Sequence, residues 1–378
     1  MCYTGMEVRF MKRFCCLLIA LMVFLTGCGL DPAQFREMPD ENVVEYRDLR
    51  YFAQAMDRET YMNLCACYEA ALAFEEWCDL PYPMLPAEVE ALIGVLRCEC
   101  PELMMLDLGR PFEMITVGGN VIRLQLHYRM DAGVYGAMDL QVRRQLKEFA
   151  QQCQGLTDAE KERLIYDYIT QNCVYDDTAD WAGTAFGCLI QGRAKCDGIS
   201  DAMKWALEAV GVPCITIAGM PLQGDVGHAW NVVCLDGIWY DLDVTADVNR
   251  EEDEAENCYS AYNVSDSWVR QQYELEGYLA DYSPLPGTPN MDGSYHALTG
   301  GYVKTGEEDN LEQLYKQAYE TQGSFILQFE SQQDFEDFEE DLEARLEVLG
   351  NQQHWPSWSW ATVSVPDYRT IHITAGEN

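Results

Sequence analysis

Cys196, His228 and Asp243 are the three residues of this chain whose types and spacing could activate a sulfur nucleophile. A thiolate attacks a carbonyl carbon, a neighbouring imidazole takes and returns the proton, and a carboxylate orients the imidazole. Cys196 lies in Lys195-Cys196-Asp197-Gly198, where a loop enters a helix expected over 197–210. The first turn of a helix carries unpaired N–H groups and the positive end of the dipole, which favours an anionic sulfur. Position alone decides little, because most cysteines are buried or bridged rather than reactive. The company of Cys196 is more telling: the chain has only five histidines, and His228 opens a strand 32 positions later.

The elements around these residues set a geometric expectation. Strands are expected over 214–218, 228–235 and 238–245, with Asp236-Gly237 forming a two-residue hairpin turn between the last two. That turn pairs Leu235 with Ile238 and sets His228 opposite Thr245 and Trp230 opposite Asp243. His228 and Asp243 then become diagonal neighbours on one sheet face, with Asp241 one step further away. Ile199, Met203, Ala206, Leu207 and Val210 give the preceding helix an apolar face, and Gly211 and Pro213 end it. Thr157-Asp158-Ala159-Glu160 has the capping-box form and predicts a helix to about 172.

The rest of the chain is read in the same terms. At 378 residues, two or three domains are expected. Residues 46–100 read mostly as helix, with 61–77 ended by Pro81, Pro83 and Pro86 and a second helix over 87–98. Strands at 112–117 and 121–128 meet at Gly118-Gly119-Asn120, a helix covers 139–152, and 183–192 is loop. Residues 251–256 are an acidic loop and 282–292 a proline-bearing linker. Towards the C-terminus come a strand at 324–329, an acidic helix at 334–349 and strands at 358–365 and 370–374. Trp355, Trp358 and Trp360 read as core packing before a ligand platform.

The chain carries 25 Lys+Arg against 63 Asp+Glu, a net charge of −38. So negative a surface repels nucleic acid and anionic lipid headgroups, and neither is expected as a partner. Sixteen cysteines are present, twelve of them after Cys28. Their pairing cannot be read from spacing. Cys65-Ala66-Cys67 and Cys98-Glu99-Cys100 are spaced too tightly for a zinc site and have no nearby histidine. No metal and no cofactor is implied. Taken as metal ligands, Cys196, His228 and Asp243 lack a fourth obvious partner.

Two resemblances sharpen this reading. Met11-Lys12-Arg13, the apolar run 14–24 and Leu25-Thr26-Gly27-Cys28 resemble the signal and lipobox of bacterial lipoproteins. That resemblance implies removal of 1–27, a lipid anchor on Cys28, a tether over 28–45 and a place on the extracytoplasmic face of a membrane. Separately, Tyr166-Asp167-Tyr168-Ile169, Val174-Tyr175-Asp176, Gly192 to Gly198, Gly211-Val212-Pro213-Cys214, Gly227 to Asn231 and Trp239 to Thr245 resemble the transglutaminase-like superfamily of papain-like cysteine enzymes. The resemblance covers about 110 residues. It implies an α+β fold with the cysteine helix packed on an antiparallel sheet. It further implies Cys196 as nucleophile, His228 as acid and base, Asp243 as its orienter, and a peptide or protein amide as substrate. Val244 departs from the proline common there. The backbone N–H of Cys196 is the first candidate oxyanion donor and Gln191 a second. The expected organisation is an N-terminal α+β domain over 46–152, a catalytic domain over 153–285 and an α/β appendix over 286–378. A noncatalytic surface-binding module built on the same fold is the competing expectation.

Overall fold

The computed structural model describes residues 50–222, 224–248, 259–275, 284–306, 310–321, 323–353, 359–366 and 369–376. Cys28, the 28–45 tether, the acidic run 251–256, Trp355 and Trp358 lie outside the described residues.

Helices α1 (Tyr51–Ala55) and α2 (Arg58–Leu72) are followed by strand β1 (Trp77–Met84), helix α3 (Pro86–Glu99), strands β2 (Met114–Val117) and β3 (Asn120–Gln125) and helix α4 (Ala132–Gln152). The expected helix over 61–77 therefore stops at Leu72, and the proline-bearing stretch behind it is a strand. Proline tolerates this because β1 is the edge of a three-stranded sheet ordered β1-β3-β2. Its register with β3 breaks between Asp79 and Met84, where Pro81 and Pro83 withhold their N–H groups. Helix α4 begins seven residues earlier than its apolar pattern indicated, because the Asp131 side chain accepts from Gly133 and Val134 N–H groups and caps it.

The central part contains α5 (Asp158–Asn172), β4 (Val174–Tyr175), a π-helical turn (Gly187–Gln191), β5 (Arg193–Ala194) and α6 (Cys196–Ala209). After these come β6 (Cys214–Pro221), β7 (His228–Leu235), β8 (Ile238–Leu242), α7 (Thr245–Val248), α8 (Asp266–Val269) and β9 (Tyr273–Leu275). Thr157 and Glu160 form the capping box at the start of α5. The expected loop at 183–192 holds the π-helical turn instead. The principal antiparallel sheet runs β8-β7-β6-β9, with α6 packed against β6 and β7.

Helix α9 (Tyr295–Thr299), β10 (Tyr302–Val303), α10 (Leu311–Thr321), β11 (Ser324–Phe329), α11 (Gln332–Gln353), β12 (Ser359–Val365) and β13 (Thr370–Gly376) close the chain. Their sheet is ordered β10-β11-β13-β12 and has its own apolar core around Tyr315, Phe329, Phe335 and Ile373, against which Trp360 packs. The fold is mixed α+β, as expected. One continuous core runs from Phe52 to Ile326, so residues 46–152 and 153–285 share their apolar interior. A buried charge network reinforces that junction. Arg50 pairs with Glu102 at 2.7 Å and reaches Glu208 of α6 at 3.9 Å, and fully buried Lys204 of α6 pairs with the same Glu208 at 2.7 Å.

Candidate active site

Cys196 is the first residue of α6, and three constraints fix it there. Lys195 N–H donates to the Ala182 carbonyl at 3.0 Å, which pins the incoming loop. Gly198 lets that loop cross the helix: a Cβ on it would collide with the Ala182 carbonyl oxygen and lie 2.8 Å from Thr184 nitrogen. The Ser200 hydroxyl hydrogen-bonds the Cys196 carbonyl at 2.8 Å and the Ala229 carbonyl of β7 at 3.0 Å. Asn231, wholly buried on β7, donates its amide to the Ser200 carbonyl at 3.0 Å. Buried polar clamps of this kind hold one spacing between helix and strand, because each broken bond would leave an unsatisfied group.

His228 opens β7, and its Nε2 lies 2.7 Å from Asp243 Oδ2. Its imidazole also feels the nearby Cys196 sulfur, which favours its protonated form. Cys196 is buried at 8% exposure, and the His228 and Asp243 side chains are 16% and 8% exposed. Burial opposes a charge on His228, but the Asp243 carboxylate and the sulfur outweigh it and lift its pKa to about 10. The Asp243 carboxylate is steadied from behind by the Thr245 N–H at 3.0 Å. Two aromatic rings cluster with the imidazole: His228 packs near Trp230 with centroids 5.9 Å apart and near Tyr273 at 5.4 Å, and these two rings are 5.0 Å from each other.

The hairpin register Leu235↔Ile238 is as expected, but pairing ends at Asn231↔Leu242, so Thr245 never faces His228 on a ladder. Beyond Leu242 the chain turns to another partner. Asp241 exchanges backbone hydrogen bonds with Val264, and Asp243 N–H donates to the Ala261 carbonyl at 2.9 Å. This diversion ends β8 early and turns 245–248 into a helical turn rather than strand. Asp241, the other acid on that face, accepts from the Trp230 indole N–H at 2.7 Å. Burial raises its pKa to about 7, against the pull of the indole.

Gln191 ends the π-helical turn with an exposed side chain, and no described hydrogen bond joins it to Cys196 or His228. The first-turn N–H groups of α6 have no partner within the helix's own ladder, which leaves the Cys196 backbone as the better-placed donor. Tyr273 escaped sequence reasoning: it lies 45 positions from His228 on a three-residue strand, with no local motif to mark it.

A cavity of about 640 Å³ is lined by sequence neighbours of the centre, with Cys196, His228 and Asp243 themselves outside its lining. Lys195 and Asp197, the two neighbours of Cys196, form part of its wall, together with Ala229, the neighbour of His228. Trp181 stands across it with φ +64°, a conformation held by Thr184, whose hydroxyl donates to the Trp181 carbonyl at 2.7 Å. Arg97 and Arg129 line the wall contributed by residues before 153, and Asp201 of α6 lines the same space.

A family model described as the transglutaminase-like superfamily matches residues 147–244, the stretch that holds Cys196, His228 and Asp243. This stretch, about a quarter of the chain, is similar to the transglutaminase-like superfamily. The kyphoscoliosis peptidase of Mus musculus is 26% identical over 152 residues, 36% of this chain and 22% of that protein. Its counterpart in Homo sapiens is 30% identical over 104 residues, 24% of this chain and 16% of that protein. The chain thus spans about a fifth of the length of these curated relatives. A solved transglutaminase (TGase) overlaps 53% of each chain at 15% identity, with a TM-score of 0.27. The transglutaminase-like stretch includes α5, α6 and the β6-β7-β8 part of the sheet, and the remaining elements lie to either side of it.

Proposed function

We propose that the chain is a cysteine enzyme that cleaves peptide or protein amides through a thioester on Cys196. The observation that carries this reading is the 2.7 Å His228–Asp243 contact, with the buried Cys196 sulfur near enough to the same imidazole to raise its proton affinity and placed at a helical entrance. In this mechanism Cys196 sulfur attacks the amide carbonyl, and His228 gives its proton to the departing amine. Asp243 keeps the imidazolium oriented throughout. The Cys196 N–H faces the developing oxyanion. Water then attacks the thioester with His228 as base, which releases the acid and restores the thiol. An amine admitted in place of water turns the same intermediate to acyl transfer. The matched relatives are named peptidases, which favours hydrolysis as the main outcome. The 640 Å³ cavity lined by the sequence neighbours of Cys196 is the proposed seat of the substrate chain, with Trp181 as an apolar wall. With Cys28 as a lipid anchor, the enzyme would act at the outer face of a bacterial membrane.

The test is the rate at which iodoacetamide alkylates Cys196, followed by peptide mapping at pH 6 to 9 in the wild type and in His228→Ala. The expected result is fast alkylation at pH 6 that the substitution slows at least about tenfold. A slow Cys196 indifferent to His228 would favour a noncatalytic binding module. Peptide libraries incubated with hydroxylamine then separate hydrolysis from transfer, since an acyl-enzyme open to amines yields hydroxamates.

A further inference from the structure

We propose that Cys67–Cys78 and Cys173–Cys188 are two disulfide sites, closed when the chain folds in an oxidising compartment. Cys67 lies on α2 and Cys78 on β1, and their sulfurs are 3.6 Å apart, already in contact. Closing to the bond length of about 2.05 Å asks for a movement of about 1.5 Å, within the reach of small χ1 rotations. Cys173 follows the last turn of α5, Cys188 lies in the π-helical turn packed against that helix, and the two thiols are near enough to shift each other's proton affinity. All four side chains are at most 4% exposed and packed in the main core. A thiol pair in such surroundings can make one weak hydrogen bond, whereas a bridge leaves no polar hydrogen to satisfy. Among the described residues no third histidine, cysteine or carboxylate joins either pair to make a metal site.

Each bridge would staple a different part of the molecule. Cys67–Cys78 ties α2 to the proline-bearing edge strand, whose ladder is broken between Asp79 and Met84. Cys173–Cys188 closes the loop that carries Trp181 and ends just ahead of Cys196. The proposal is independent of the enzymatic reading, because it does not involve Cys196.

The oxidant is a low-molecular-weight disulfide or a thiol–disulfide exchange protein. One cysteine loses its proton to solvent and attacks a sulfur of the oxidant, forming a mixed disulfide and releasing one thiol. The second cysteine, also deprotonated, attacks the bound cysteine sulfur and releases the other thiol. Two protein thiols are oxidised and one disulfide is reduced to two thiols.

The test refolds the full chain from the reduced, denatured state in a glutathione redox buffer, traps residual thiols with N-ethylmaleimide and maps the linked peptides. Refolding removes any barrier from burial of the thiols. The expected result is two crosslinked pairs, 67–78 and 173–188, with Cys196 recovered as a thiol or a glutathione adduct. The oxidised chain should melt about 5 °C or more above the reduced one. Cys173→Ala should remove one crosslink and part of that shift while leaving the 67–78 link. Refolded protein with these four thiols still free, or bridged to other cysteines, overturns the proposal.

Discussion

Replacing Asp243 with Asn tests the heart of the site, because it keeps the shape and one acceptor oxygen while removing the charge. His228 has its pKa lifted to about 10 from an ordinary 6.5, although burial alone would lower it. The counterweight is chiefly a carboxylate 2.7 Å from Nε2 with an 8% exposed side chain. A charge-assisted hydrogen bond in such a setting contributes about 1.5–3 kcal/mol. At about 1.4 kcal/mol per pKa unit, its loss should bring His228 down by one to two units. NMR titration of the His228 ring, assigned by its disappearance in His228→Gln, reads this directly. A raised folded pKa adds stability that is complete below about 6.5 and fades as pH rises through the folded value near 10. In Asp243→Asn the upper end of that window should move down by the same one to two units, and Cys196 alkylation at pH 6 should slow. A wild-type His228 titrating near 6.5, or a value unmoved by the substitution, would refute the assigned geometry.

Three other outcomes follow from buried groups. Lys204→Met should cost about 3–5 kcal/mol in urea denaturation, because Lys204 is 0% exposed and its loss strands Glu208 and Glu99 near α6; a change under about 1 kcal/mol counts against the network. Gly198→Ala should destabilise by about 2–3 kcal/mol and abolish fast Cys196 alkylation, since its methyl would strike the Ala182 carbonyl. Burial raises Glu162 and Asp241 to about 7, so each binds a proton in the folded state that it has lost in the unfolded one. Their contribution to stability should therefore fall between about pH 4 and 7, by at most about 1.4 kcal/mol per unit for each group. Glu162→Gln should flatten the dependence of melting temperature on pH over that range, and an unaltered slope would show that this carboxyl is not protonated when folded.

Much of the central stretch was legible before any coordinates. The capping box at Thr157, the apolar face of α6 and the Asp236-Gly237 turn are local signals whose energetics act over a few residues. A two-residue turn fixes register along both strands, so it placed Asp243 rather than Asp241 near His228 even though β8 ends sooner than expected. Less was readable where a distant partner overrides local preference. The prolines of 81 and 83 read as helix terminators, but an edge position makes them part of a strand. The stretch 183–192 read as loop, yet residues 187–191 wind into a π-helical turn that leaves Gln191 exposed.

The sequence by itself determined the identity and order of the candidate site residues, because helix entrances and hairpin registers depend on neighbours a few residues away. Tertiary structure alone decided what surrounds them. The stacking of Tyr273 on His228, the hold of 261–264 on Asp241 and Asp243, and the cavity walled by Arg97 and Arg129 join segments far apart in the chain. Such contacts arise only when separate apolar faces are buried in one core, and no short stretch of sequence carries their energy.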